Sequence, residues 1–336
     1  MGVMTRLRTL AETLDPRMLH RTRVQVDDIR DQARELREAL NLVDVRTQQL
    51  IALQRGNVAQ RQAVDEARAA LVPERILPHV RDAILRAEIH TDPFPHCLVH
   101  DWLPADIYDL MLAALPPAVF FADRPRHRQQ VTVPPVVAPD LSYLVWDFIA
   151  REVVTRAAGP ALYERFEPHL DRYIRSLMAT SEDWHGHVDM HSSDGRILLR
   201  RPGYVIEPHR DPGWGFLTCL VYLAKPGDNK EWGTQLYRVR GDEQAPDETA
   251  FYVDKSQCEL ARAVPYRRNT MLVFLNGTGA HGASIPADAQ PPDLERYLYQ
   301  FRLGPTPAAI KWLLERMSPE ERARWDGLKT ARVGGY

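Results

Sequence analysis

The chain has 336 residues, 43 Lys and Arg against 45 Asp and Glu, 44% hydrophobic residues and 26 prolines, the profile of a globular protein with ample core material. A formal net charge of -2 leaves no global basic surplus for a polyphosphate partner, so nucleic-acid binding is not expected as a primary role. No stretch approaches the ~18 consecutive apolar residues of a membrane span, and MGVMTRLRTLAETLDP lacks the apolar run of a secretory signal, which predicts a cytoplasmic protein without a membrane partner. Cys97, Cys219 and Cys258 are far apart and odd in number, so they read as reduced thiols and not as a disulfide framework or a CxxC zinc site.

Val26, Ile29, Ala33, Leu36, Leu40, Val43, Thr47 and Leu50 are separated by alternating steps of 3 and 4, a heptad seam. Two readings compete: a long amphipathic helix packed on its own domain, and a short coiled coil forming a homodimer through residues 26–50. The pattern fades through Gln54, Gly56 and Asn57, and the Ala-rich run to Leu71 still favours helix. At DPFPHCLVHDWLP prolines and aromatics break any helix arriving from Ile84 to Ile89, and a second unit is expected to start near Ile89. Helical patterns follow at Ala105–Leu115 and Leu141–Ala157, separated by a proline-rich loop, RPRHRQQVTVPPVVAPD.

Beyond Gly186 the texture turns to short segments rich in β-branched and aromatic residues: HVDMHSS, GRILLRR, YVIEPHRD, FLTCLVYLA, GTQLYRV, NTMLVFLN and RYLYQFRL. Strands without intervening helices predict an antiparallel sandwich or barrel, hence an α+β chain. The tail from Ile310 returns to helix, with Ser318-Pro319-Glu320-Glu321 as an N-cap followed by proline at the first helical position.

The chemistry concentrates in Tyr204-Val-Ile-Glu-Pro208-His209-Arg210-Asp211, where His209 and Asp211, two apart on extended backbone, can converge on one point. His281 lies 70 residues after Asp211, where the apolar strand Leu272–Leu275 runs into the glycine-rich turn Asn276-Gly277-Thr-Gly-Ala. Two imidazoles and one carboxylate make a facial triad, and iron(II) held this way keeps adjacent positions open for a bidentate oxo-acid and dioxygen. A rival cluster, His185-Gly-His187-Val-Asp189-Met-His191, also contains HxD; the competing expectation for it is a polar strand face in a hairpin closed by Ser192-Ser-Asp194-Gly195.

In order along the chain, Arg201-Pro-Gly203-Tyr204, the His209/Asp211 pair, Leu217-Thr218-Cys-Leu-Val-Tyr222-Leu223, Gly233-Thr-Gln-Leu236 and Asn269-Thr-Met-Leu-Val-Phe274 with His281 resemble the Fe(II)- and 2-oxoglutarate-dependent dioxygenases, within them the prolyl-hydroxylase-like branch. The resemblance covers roughly Arg200 to Leu303. It implies a double-stranded β-helix core (jelly-roll, cupin-like) at about 185–305, buttressed by helices. The dioxygenase domain would span 89–308, between an N-terminal helical or coiled-coil region at 1–88 and a C-terminal helical tail at 309–336. It implies His209, Asp211 and His281 as metal ligands, Fe(II), 2-oxoglutarate and O2 as cofactors, and ascorbate as a reductant.

By the same resemblance the distal 2-oxoglutarate carboxylate takes an arginine on the strand after His281. Arg296 is chosen, with Arg302 as the fallback nearer the metal, because period-2 alternation puts Arg296, Leu298, Gln300 and Arg302 on one face. Tyr222 matches the position whose phenol bonds that carboxylate, with Thr218 on the same face; a core tyrosine is the competing reading. Asn276 and Gly277 read as structural. The implied reaction is hydroxylation of an unactivated C–H bond with release of succinate and CO2, and the presence of Asp211 favours hydroxylase over halogenase.

Three alternatives stay open: a metal-dependent hydrolase on the same ligands, a non-catalytic interaction protein assembled through the N-terminal helix, and oxidative desaturation or cyclisation. The substrate is expected to be a polar small molecule, a sugar-bearing metabolite or a carrier-bound peptide. Its mouth would draw on Arg124–Asp140, the HGHVDMH segment and the insertion Lys225–Arg262 with Trp232, Tyr237, Phe251 and Tyr252. Trp214 and Phe216 either stack on it or pack the core.

Overall fold

The computed structural model describes residues 16–56, 61–121, 125–211, 214–241, 252–323 and 325, and the chain divides into two compact units, Met1–Gln54 and Arg55–Tyr336. The first is built on helix α1 (Pro16–Gly56), 41 residues long. Its heptad residues Val26, Ile29, Leu36, Leu40, Val43 and Leu50 are all exposed.

The larger unit opens with α2 (Arg61–Ala70) and α3 (Pro73–Arg86), each burying one stripe, Val64 and Ala67 on the first and Ile76, Val80, Ala83 and Ile84 on the second. Pro73 starts α3 where its missing N–H costs no helical bond. Strands β1 (Ile89–His90) and β2 (His96–His100) follow, then α4 (Ala105–Ala113), β3 (Arg128–Thr132), α5 (Asp140–Phe148), a π-helical stretch Ile149–Ala158, and α6 (Gly159–Leu177). Two of these depart from the expectation. The proline-rich loop contains a strand, β3, whose residues pair with only one neighbour, as an edge position allows. Gly159-Pro160 does not end the helix, because proline sits at its start, where no intrahelical N–H is required.

Strands β4 (Met190–Arg200), β5 (Val205–His209), β6 (Leu217–Tyr222), β7 (Thr234–Val239), β8 (Cys258–Val264), β9 (Thr270–Leu275), β10 (Ala280–Ser284) and β11 (Arg296–Pro305) complete two antiparallel sheets. One sheet has seven strands in the order β1-β2-β9-β6-β11-β4-β3; the other has four, β5-β10-β7-β8. The hairpin expected at Ser192–Gly195 is not formed. β4 runs through it as one strand, with a register shift against β11 between Gln300 and Arg302 that absorbs Asp194 and Gly195 as a bulge. β10 forms where a glycine-rich turn was expected, since Gly277 (φ 107°) and Gly279 (φ 66°) complete the turn before it.

Every residue of β6, β9 and β11 is buried, as a sheet covered on both faces requires. On one side Trp146, Phe166 and Ile174 from the helices join Val221, Tyr299 and Phe301 in the main core, with Trp146 edge-on to Tyr299 at 5.2 Å. On the other, Tyr222, Leu236, Leu272, Phe274 and Leu298 form a smaller core. After β11, α7 (Pro307–Leu314) is capped by the Thr306 hydroxyl, and Ser318 Oγ accepts from Glu321 N at 3.1 Å at the start of the helical residues 319–323, the cap read from the sequence. Among the described residues no helix is long and apolar enough to cross a membrane.

Candidate metal and oxyanion site

A cavity of about 340 Å³ opens between the two sheets and is lined by residues of both. β10 pairs with β5 so that His281 lies directly opposite His209, and the two rings stand 4.1 Å apart. Asp211 follows two residues beyond His209 on the loop leaving β5. One potential ligand atom from each of the three lies within 4.8 Å of the others, and all three residues are buried. Arg210, between the two ligands, donates from Nε to the Gly279 carbonyl at 2.9 Å, which ties this loop to the turn that launches β10.

Hydrogen bonds set the state of each group. His209 Nδ1 lies 2.9 Å from the Glu207 carbonyl, so this nitrogen carries the proton and Nε2 keeps its lone pair. Burial lowers the pKa of His209, and burial followed by the neighbouring His209 brings His281 to about 3. Both imidazoles are neutral at pH 7. Burial alone would raise the Asp211 carboxyl, but the Arg302 guanidinium, with smaller help from the imidazoles and Thr218, holds it well below the usual carboxylate range. Arg302 Nη2 donates to Oδ1 at 2.6 Å and the Thr218 hydroxyl to Oδ2 at 2.6 Å. Asn276 Nδ2 donates in turn to Thr218 Oγ1 at 3.0 Å and to the Gly215 carbonyl. Asn276 is therefore structural as expected, in a specific sense: it orients the hydroxyl that orients Asp211. Each carboxylate oxygen still has a lone pair.

Along β11 the side chains of Arg296, Leu298, Gln300 and Arg302 all line the cavity, as their alternation predicted. Arg302 sits opposite Thr218 and Leu298 opposite Tyr222, so the strand carries one arginine at the triad and another at the far end. Arg296 is 2% exposed, its guanidinium lies 4.5 Å over the Tyr266 ring, and its Nε finds no hydrogen-bond partner. Among the described residues no carboxylate faces it. Thr218 does not reach this end, being spent on Asp211. The Tyr222 hydroxyl donates to Thr234 Oγ1 at 2.9 Å, and it is Thr234 that lines the cavity. Thr234 and Tyr266 were not singled out from the sequence; the Gly233-Thr234 turn was the available signal for the first.

The rival cluster does not assemble. His185 and His187 lie in a turn before β4, not on a strand. His185 Nδ1 contacts Asp183 Oδ1 at 2.7 Å, and His187 stacks on Trp312 at 4.9 Å. Phe216 is fully buried in the main core and Trp214 packs partly buried against it. Trp232 packs beside the Tyr204 cluster, Tyr237 donates to Gln235 at 2.8 Å, and exposed Tyr252 lies 6.2 Å from the His209 ring; none of the three lines the cavity. Phe251 and Arg124 lie outside the described residues.

The Arg302–Asp211 pair yields a stability prediction, since both side chains are below one-tenth exposed. Arg302→Met leaves a buried carboxylate without its cation and should cost about 3–5 kcal/mol in denaturant unfolding of the metal-free protein. The sign follows from the depressed carboxyl: the pair's contribution is present above about pH 3.9 and disappears as pH falls toward the lower folded value. Added Mn(II) should recover part of the loss in Arg302→Met; an unchanged midpoint without metal would contradict the pair's importance.

No family model matches the chain, and no curated protein is significantly similar to it. Two solved structures of HygX from Streptomyces hygroscopicus are similar to this chain. The one with nickel, 2-oxoglutarate and hygromycin B bound has 13% identity and TM-score 0.38; the one with nickel and 2-oxoglutarate bound has 14% and 0.39. Each match covers 63% of this chain and 83% of that chain.

Proposed function

We propose that this protein is an Fe(II)- and 2-oxoglutarate-dependent oxygenase that hydroxylates a C–H bond of a small or carrier-bound substrate. The observation that carries the reading is the pairing, in one cavity, of a buried two-histidine, one-carboxylate triad with a buried arginine that meets no counter-charge among the described residues. The donor set fits a divalent first-row metal: two neutral imidazoles and one ionised carboxylate, the latter oriented by Thr218 and Arg302. The unpartnered Arg296 fits the remote carboxylate of a keto-diacid whose other end reaches the metal. Apart from the β7–β8 pair, strands β4 to β11 alternate between the sheets in a way that supports a double-stranded β-helix core, with β4-β11-β6-β9 and β5-β10-β7-β8 as its two faces.

When bound, the iron would supply oxygen activation coupled to decarboxylation of the co-substrate to succinate and CO2. The chain's own residues do the rest. His209, Asp211 and His281 would hold the metal. Arg296, backed by Tyr266, takes the far carboxylate, and Thr234, held by Tyr222, offers its hydroxyl to the same end. Apolar Leu198, Leu220 and Leu298 line the space between and exclude water. A hydrolase on the same ligands would have no use for an uncompensated arginine at this depth.

His209→Ala, Asp211→Ala and His281→Ala should each abolish metal binding and succinate release, whereas His187→Ala, stacked on Trp312 away from the cavity, should retain both. Arg296→Ala should raise the 2-oxoglutarate concentration required roughly 30-fold or more, equivalent to about 2 kcal/mol, with little change in metal affinity. Loss of metal in His187→Ala with retention in His209→Ala would overturn the assignment of the triad.

The exposed heptad residues of α1 support a second element of the proposal, a homodimer through residues 26–50 in which Val26, Ile29, Leu36, Leu40, Val43 and Leu50 meet their counterparts. Light scattering should give a mass near 77 kDa, twice the 38.5 kDa chain, falling to the monomer in Leu36→Glu/Leu40→Glu. A monomeric native protein would contradict it.

A further inference from the structure

The described lining of the cavity is rich in arginine. Among the described residues it is lined by Arg128, Arg196, Arg200, Arg296 and Arg302 and by one carboxylate, Asp211, in a chain whose net charge is -2.

Three of these arginines form a row across the sheet. Arg296 on β11 is registered directly opposite Arg200 on β4, and Arg200 directly opposite Arg128 on the edge strand β3. Neighbouring strands lie about 4.8 Å apart, and like charges placed directly opposite destabilise a sheet unless something between them compensates. The row also runs from inside to outside: Arg296 is 2% exposed, Arg200 6%, and Arg128 half-buried at the sheet edge. Arg200 is braced by Nη1 donating to the Gln129 carbonyl at 2.8 Å and by the Tyr204 ring, 4.7 Å from its guanidinium carbon. The Arg128 side chain, like that of Arg296, has no carboxylate and no hydrogen-bond acceptor among the described residues.

We infer that the outer end of this row, Arg128 with Arg200 behind it, binds an anionic group of the primary substrate, a phosphate or a carboxylate, while Arg296 at the inner end takes the co-substrate. The inference deepens the oxygenase reading and rests on it for the words co-substrate and substrate; the anion site itself rests on the arginine row. An anion at Arg128 would orient a substrate entering from the β3 edge, and Gln130, which follows on the same face of β3, lines its path.

The test is calorimetric titration of sulfate, as a tetrahedral probe, and separately of acetate, into the full-length protein loaded anaerobically with Mn(II) and 2-oxoglutarate at low ionic strength. Saturable binding of one anion per chain is expected, weakened tenfold or more in Arg128→Gln, with the Mn(II) stoichiometry of the variant reporting that the sandwich has folded. Tighter sulfate points to a phosphorylated substrate and tighter acetate to a carboxylated one. No saturable anion binding to the loaded protein, binding indifferent to Arg128, or displacement of 2-oxoglutarate by the probe would each overturn the inference. Should 2-oxoglutarate fail to bind the Mn(II) protein while the probe binds through Arg128, the oxygenase reading falls and the anion site stands.

Discussion

The site depends on keeping one carboxylate ionised inside a protein. Asp211 is removed from water, which by itself favours the neutral acid, and the chain opposes this with a guanidinium on Oδ1 and a hydroxyl on Oδ2. Those two groups come from adjacent strands, β11 and β6, whose register sets Arg302 beside Thr218. Asp211 can therefore be charged only if the central strands of the larger sheet are correctly aligned, and its ionised form in turn links the β5 loop to that sheet. The same constraint settles the histidines: buried beside one another and beside Arg302, they stay neutral, which is the form a metal needs.

A second consequence concerns where positive charge is placed. Arg302 is neutralised within the fold, whereas Arg296, on the same face of the same strand, is buried against Tyr266 with no anion among the described residues to meet it. Burying a guanidinium without an anion is costly, and the cost would be relieved by an anionic ligand in the cavity it lines. This asymmetry between two arginines of one strand separates the oxygenase reading from a plain metal hydrolase. The arginine row extends the same logic outward, from a buried inner cation to a half-buried one at the sheet edge.

The parts legible in the sequence were those governed by short-range periodicity. The His209/Asp211 pair at a strand end, the alternation of Arg296 through Arg302, and the Ser318 cap each follow from spacings of two or three residues. The sheet strands with strong β-formers, β6, β9 and β11, could be read for the same reason. What escaped depends on partners far away in the chain. β3 opens on Arg-Gln-Gln and β10 is Ala-His-Gly-Ala-Ser, weak strand formers that exist as strands because neighbouring strands accept them in register. The Ser192–Gly195 turn became a bulge because β11 offered continuous pairing on both sides. The contact of Tyr222 with Thr234, the seat of Arg296 on Tyr266 and the alignment of Arg128 with Arg200 join segments that no local pattern connects.

The central claim is that the triad and Arg296 together hold a metal-chelated keto-diacid. It is tested most directly by titrating the metal-free protein anaerobically with Fe(II) and then 2-oxoglutarate while recording the visible spectrum. The account predicts a weak charge-transfer band that grows only when both are present and saturates at one co-substrate per chain. Stoichiometric iron binding with no band at saturating 2-oxoglutarate would contradict it.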